Sequence, residues 1–312
     1  MSRLQKLGRP IGARIIVAFC AMMVLGAIAG CSRKAGDKPV AEESPPSMAD
    51  PLIRHLILIS VDTLRADHLA CYGHPFVKTP NIDSFASEAV LFEQHINAAP
   101  TTLASHTSLM TGAYPHTHGV PRNGFRVHED NMMLAEVLKE AGFSTAAFIG
   151  ALPLHSRFNF AQGFDHYDER FDLPSKVAAV DESRRSAEQV NQAVFAWLDQ
   201  ARFERLFLFV HYFDVHSPYQ PLAPYDRMYR DDKTRLGGSR QEIQRVRQRL
   251  RRDPTGLIEE CRILDALYCG GVTYTDHHIG LFLDELKRRG LYDQALIILT
   301  SDHGEAMNEH WE

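Results

Sequence analysis

The chain has 312 residues, 45% hydrophobic and 23% charged, a globular balance that excludes a disordered chain and a fibrous repeat. Its 34 basic and 39 acidic residues leave a formal charge of −5, which argues against nucleic acid as a partner bound through global charge. Sixteen histidines form a surplus that composition does not explain.

In chain order, the first segment is an address. Arg3, Lys6, Arg9 and Arg14 form a basic region without an acid, and an apolar run from Ile15 to Leu25 follows. This is the layout of a secretory signal, with an apolar stretch short for a membrane span; an uncleaved single-pass anchor is the alternative. Ile28-Ala29-Gly30-Cys31 resembles the bacterial lipobox, so residues 1–30 are expected to be a lipoprotein signal peptide and Cys31 the lipidated first residue. Removing those four positive charges takes the balance from −5 to −9. Residues 31–51 are polar, Pro-bearing and without apolar period, a flexible tether; ~20 residues of coil span roughly 25 Å. The predicted location is a membrane-anchored exported lipoprotein, facing the periplasm or cell surface from the outer membrane if the host is Gram-negative.

From residue 52 onward strand-like and helix-like segments alternate. Apolar runs at Leu56–Val61, Thr145–Ile149, Leu206–Tyr212 and Ala295–Thr300 read as buried strands. Helical patterns are expected over Met132–Ala141, Ala187–Ala201 and Tyr274–Arg289, the first and last stopped by Gly142 and Gly290. The alternation predicts an α/β fold with a largely parallel or mixed central sheet flanked by helices. In such folds ligands bind beyond the carboxyl ends of strands, where Asp62-Thr63 and Ser301-Asp302-His303 stand. A basic helical insertion is expected at about 226–252, with ten Lys or Arg against four acids and Ile243, Val246 and Leu250 at helical spacing. Such a run is a solvated helix face or a surface for polyanions or lipid headgroups.

Four distant segments read as parts of one site: Ser60-Val61-Asp62-Thr63 leading to Cys71-Tyr72-Gly73; Thr101-Thr102-Leu103-Ala104-Ser105-His106 leading to Leu109-Met110-Thr111-Gly112; Asp214-Val215-His216-Ser217-Pro218-Tyr219; and Ser301-Asp302-His303-Gly304-Glu305. In this order they resemble the sulfatase family of the alkaline phosphatase superfamily. The resemblance implies an alkaline-phosphatase-like α/β sandwich with one divalent cation at the strand ends. It places Asp62, Asp302 and His303 at ligand positions, with Thr102 as nucleophile and further ligand. Two carboxylates and an imidazole suit Mn²⁺, Zn²⁺ or Mg²⁺ better than Ca²⁺. Thr63 stands where the family usually has a second aspartate. The resemblance also implies a region C-terminal to residue 312.

Counting ten residues back from Gly112 gives Thr102, where sulfatases carry a Cys or Ser that is oxidised to formylglycine. A threonine has a methyl on that carbon and cannot give an aldehyde. Threonine is instead the nucleophile of superfamily relatives acting on phosphodiesters and phosphoethanolamine. Asn123 resembles the phosphate-contacting asparagine of the nucleotide phosphodiesterases. His216 is expected to protonate the leaving group or assist the second step, and His106 to replace the family's arginine as an oxyanion contact or to serve as a helix-face residue. His116, His118 and His310 are near by motif adjacency only. The expected function is metal-dependent hydrolysis of sulfate or phosphate/phosphonate esters by a metal-activated threonine. The alternatives are a phosphoethanolamine-type transferase and a catalytically silent lipoprotein that binds sulfated or phosphorylated glycans.

Overall fold

Parallel strands buried on both faces need nearly continuous apolar sequence, and the runs that meet this demand are the strands that form. The computed structural model describes residues 53–170, 184–231, 236–253 and 258–307. Cys31, the signal and tether segments and His310 lie outside the described residues. Strand β1 (His55–Val61) is followed by helices α1 (Pro80–Ser87), α2 (Thr102–Thr111), α3 (Pro115–His118) and α4 (Leu134–Glu140), then β2 (Ser144–Phe148) and β3 (His166–Asp168). Helix α5 (Ala187–Gln200) leads to β4 (Leu206–Tyr212), and α6 (Arg240–Leu250) and α7 (Ile258–Arg288) lead to β5 (Ala295–Ser301). The strands form one sheet in the order β3-β2-β4-β1-β5, parallel at every pairing. The expected α/β sandwich is observed, and the one antiparallel pairing among the described residues is an isolated bridge between Ala151 and Arg184, outside the sheet. No helix among them is long and apolar enough to cross a membrane.

Alternation within the strands divides the core in two. Ile57, Ile59 and Val61 of β1 and Leu208, Val210 and Tyr212 of β4 pack with Val190 and Val194 of α5 and Leu267, Ile279 and Phe282 of α7. Leu58, Phe207 and Phe209 point the other way, to Leu103 and Met110 of α2 and Met133 at the start of α4. Each such side chain contributes roughly 1.5–3 kcal/mol on leaving water. All seven residues of β4 are buried, which makes it the anchor of both layers.

The elements depart from expectation where polarity or glycine hides them. Strand β3 is short and polar, and it forms because Ala146–Phe148 of β2 offers it a ladder. Helix α7 runs 31 residues, straight through Gly270 and Gly271, where the sequence shows only its second half. A Cβ on Gly270 would lie 2.4 Å from the Tyr225 carbonyl oxygen, and one on Gly271 3.0 Å from that of Asp214. The glycines therefore let α7 press against the loop after β4. Register then sets the site: Val61 pairs with both Tyr212 and Ser301, so the three central strands end at one level.

Candidate active site

The residues just beyond those strand ends converge. Asp62 and Asp302 are buried, and His303 is nearly so. His303 Nε2 lies 3.4 Å from Asp302 Oδ2 and 3.8 Å from Asp62 Oδ1. One ligand atom of each residue lies within 4.8 Å of the others. Both Asp62 oxygens, Asp302 Oδ2 and His303 Nε2 have no hydrogen-bond partner in the structure. Buried polar atoms are ordinarily satisfied, so four orphans facing one another need a ligand.

The surroundings aim these atoms. Asp302 Oδ1 accepts from the Thr63 and His303 amides at 3.1 and 2.8 Å, which leaves Oδ2 toward Asp62. His303 Nδ1 donates to the Gly304 carbonyl at 2.8 Å, so the lone pair is on Nε2. Burial raises the Asp302 carboxyl well above the usual carboxylate range, and the Asp62 charge adds to this. For Asp62, burial works upward but is outweighed by the His211 contact and the charges of His216, His211 and His303, which hold it at about 2. Two acids in one dry pocket resist being charged together, and a divalent cation removes that conflict. Two carboxylates and an imidazole form a donor set that fits such a cation.

Helix α2 is fastened to this cluster. The Thr102 carbonyl can only accept, so His106 Nδ1 donates to it at 2.8 Å, and Nε2 accepts from Ser60 Oγ at 2.9 Å. The ring is fully buried, and its pKa falls to about 3, chiefly through burial and then the His211 charge. His106 is thus a neutral brace from β1 to the first turn of α2, 3.5 Å from Asp302 Oδ2. Ser105 Oγ adds a bond to the Asp302 carbonyl. Thr102, buried, is the first residue of α2. Thr101 does not cap the helix with its side chain; Asn123 does so from a distant loop, its Oδ1 accepting from the Leu103 amide at 2.7 Å.

His216 stands half-buried at the rim, stacked on Phe213 with ring centres 4.4 Å apart. Its Nδ1 bonds the Ser217 carbonyl, which leaves Nε2 to carry chemistry. His118 is structural: Nε2 bonds Ser108 Oγ at 2.9 Å and Nδ1 accepts from Val120 at 3.1 Å. His116 is exposed and stacked on Tyr114.

The sulfatase family model matches residues 54–312. The chain belongs to the sulfatase family. An arylsulfatase of Clostridium perfringens is 26% identical over 82% of this chain and 64% of its own length. The ulvan-active sulfatase of Formosa agariphila is 28% identical over 83% of this chain and 52% of its own. The chain thus spans between half and two thirds of these relatives. Among solved structures, the phosphonate monoester hydrolase of Agrobacterium radiobacter has a TM-score of 0.64 at 22% identity, covering 83% of this chain and 64% of that one; the likeness carries the fold.

Thr63, which stands apart from the sulfatase pattern, also departs from ordinary backbone geometry. Its φ is 57°, a left-handed conformation costly for a β-branched side chain. It is held there from both ends: its amide donates to Asp302, and its carbonyl accepts from Tyr268 Oη at 2.7 Å. The same hydroxyl accepts from the Arg65 amide at 2.9 Å. The Thr63 hydroxyl is buried beside the cluster without a partner. Sequence reasoning missed Tyr268, which lies 205 residues from Thr63. It also missed His211, whose Nδ1 accepts from the Gly150 amide and whose Nε2 sits 3.3 Å from Asp62 Oδ2. The signal for His211 was present: it is the polar residue in the otherwise apolar Leu206–Tyr212 run.

Proposed function

We propose that this chain hydrolyses sulfate or phosphate/phosphonate esters with Thr102 as nucleophile and one divalent cation as cofactor. The observation that carries the reading is the convergence of unpartnered Asp62, Asp302 and His303 atoms beside the first turn of α2. Asp62, Asp302 and His303 would hold the cation, with the Thr102 hydroxyl as a further ligand; Mn²⁺, Zn²⁺ and Mg²⁺ suit the donors better than Ca²⁺. When bound, it supplies Lewis-acid chemistry, lowering the pKa of a neighbouring hydroxyl and neutralising charge on the ester.

Everything else is the work of the chain. Thr102 Oγ, its proton released to solvent, attacks sulfur or phosphorus, the S–O or P–O bond to the leaving oxygen breaks with its pair on that oxygen, and His216 Nε2 gives it a proton. Water then displaces Thr102 and returns that proton to His216. The free N–H groups at the start of α2, together with the Asn123 amide, face the anionic oxygens. His106, both nitrogens engaged and excluded from solvent, positions Thr102 rather than touching the ester. Tyr268 keeps Thr63 and Asp302 in register.

The test is turnover of aryl sulfate, phosphate mono- and diester, and phosphonate ester, with Mn²⁺ or Zn²⁺, beside Thr102→Ala. Metal-dependent turnover should fall by at least about 100-fold in the variant. No turnover on any of them, or full activity in Thr102→Ala, would overturn the reading. The same reading includes export and lipidation: Cys31→Ser should abolish lipid labelling, and unchanged labelling would refute it.

A further inference from the structure

The basic insertion has one face that the hydrolytic reading leaves unused. Ile243, Val246 and Leu250 of α6 are buried in the same core as Ile263, Leu264 and Leu267 of α7. Helical spacing then divides its arginines. Arg240, Arg247 and Arg251 stand at i, i+7 and i+11, within about 40° of one another and along about 16 Å of axis. All three are exposed. Arg247 ties this stripe to the active-site rim: it pairs with Glu305 at 3.3 Å, and the other Glu305 oxygen accepts from the Ser217 amide at 3.4 Å. Ser217 follows His216, and Glu305 follows Asp302 by three residues. The opposite flank is different. Arg249 pairs with Glu260, Arg245 bonds the Gln241 carbonyl, and with Arg252 they share a groove of about 330 Å³ with Glu242 and Glu260.

We infer that the Arg240–Arg247–Arg251 stripe is a subsite for anionic groups beyond the scissile ester, so that the preferred substrate is an oligomer carrying several of them. The inference rests on the ester-hydrolase reading for its substrate. The chain as a whole is anionic, at −5, and this stripe is a local run of positive charge joined to the site's rim through Arg247 and Glu305. An anionic lipid surface is the poorer occupant, because the apolar residues α6 would insert are already buried in the core.

Dextran sulfate serves as the probe, on the full chain. It should inhibit hydrolysis of a 4-nitrophenyl ester competitively, and Arg240→Gln/Arg251→Gln should raise its inhibition constant about tenfold, with the gap closing as salt rises. Arg245→Gln/Arg252→Gln, which removes as much charge from the other flank, should leave that constant unchanged. Equal weakening by both double variants, non-competitive inhibition, or loss only of phosphatidylglycerol vesicle binding would overturn the subsite. Direct binding of fluorescent dextran sulfate separates the two readings. If no ester turns over but the stripe variant alone loses binding, the subsite stands and the hydrolase falls; turnover with no stripe effect gives the reverse.

Discussion

Two clusters of metal-ligating side chains lie on this fold and differ in what their atoms lack. At the strand ends, Asp62, Asp302 and His303 point unpartnered atoms at one another. In the other, beside α7, His68 is bonded on both sides, Nδ1 to Asp67 and Nε2 to Asp265, each at 2.9 Å. His74 Nδ1 accepts from the Val77 amide, and burial pushes the Cys269 thiol up. His68, His74 and Cys269 also have the proximity of a metal site. The difference teaches that unsatisfied atoms, more than residue type, mark a place built for a ligand.

The comparison breaks most sharply on metal stoichiometry. The chain should bind one Zn²⁺ tightly, measured by calorimetry and elemental analysis, and Asp62→Asn or His303→Ala should weaken it at least about 100-fold. Cys269→Ser should leave the affinity unchanged; a second tight ion lost in that variant would refute the contrast. Asp302→Asn has a diagnostic sign. A carboxyl whose folded pKa is raised contributes stability below its unfolded value near 3.8 that is lost as pH rises through the folded value. Without metal, Asp302→Asn should therefore melt no lower than wild type at pH 7, while metal-induced stabilisation is lost.

Next in size is Tyr268→Phe. Removing one hydroxyl takes a hydrogen bond from the Thr63 carbonyl and another from the Arg65 amide, at about 1–3 kcal/mol. The left-handed Thr63 loses one of its two restraints, the bond to Asp302 remaining, and Zn²⁺ affinity should fall about tenfold with it. A variant that melts lower but binds Zn²⁺ as tightly would reduce Tyr268 to a core residue.

How much of this was legible follows from what each feature depends on. Strands β1, β2, β4 and β5 are apolar runs, and local hydrophobicity is enough to see them. Strand β3 and the first half of α7 depend on partners: a ladder from β2, and loops close enough to require Gly270 and Gly271. Asp62, Asp302 and His303 were visible through motif order, since strand-end polar residues keep their place in the chain. His211 and Tyr268 act through register across the sheet and along α7, which no local spacing encodes. His106 was visible as a residue of the site but not as a brace, because that role rests on Ser60 across the β1–α2 gap.

The satisfied cluster gives a smaller effect with a clear pH dependence. Burial lowers the His68 pKa, but its bonds to Asp265 and Asp67 outweigh this and raise it above 6.5. The stabilisation is therefore full below pH 6.5 and lost as pH rises through the folded value. The melting difference between wild type and His68→Gln should be about 2–4 °C at pH 6 and shrink toward pH 9. A difference constant with pH would mean that packing against Tyr268, 4.9 Å from the ring, carries the effect.

The smallest effect separates the two jobs of Asn123. As an acceptor it caps α2 through the Leu103 amide, and Asn123→Ala should cost about 1 kcal/mol. On the proposed function its amide would also donate to the ester, and the same change should then raise KM. Asn123→Asp divides these contributions, because a carboxylate still accepts from Leu103 and favours the positive end of the helix. Its melting temperature should return to the wild-type value. Its KM for an anionic ester should stay high, since a negative charge has replaced the donor. If both properties return together, the capping bond alone explains Asn123, and the first turn of α2 holds the ester without it.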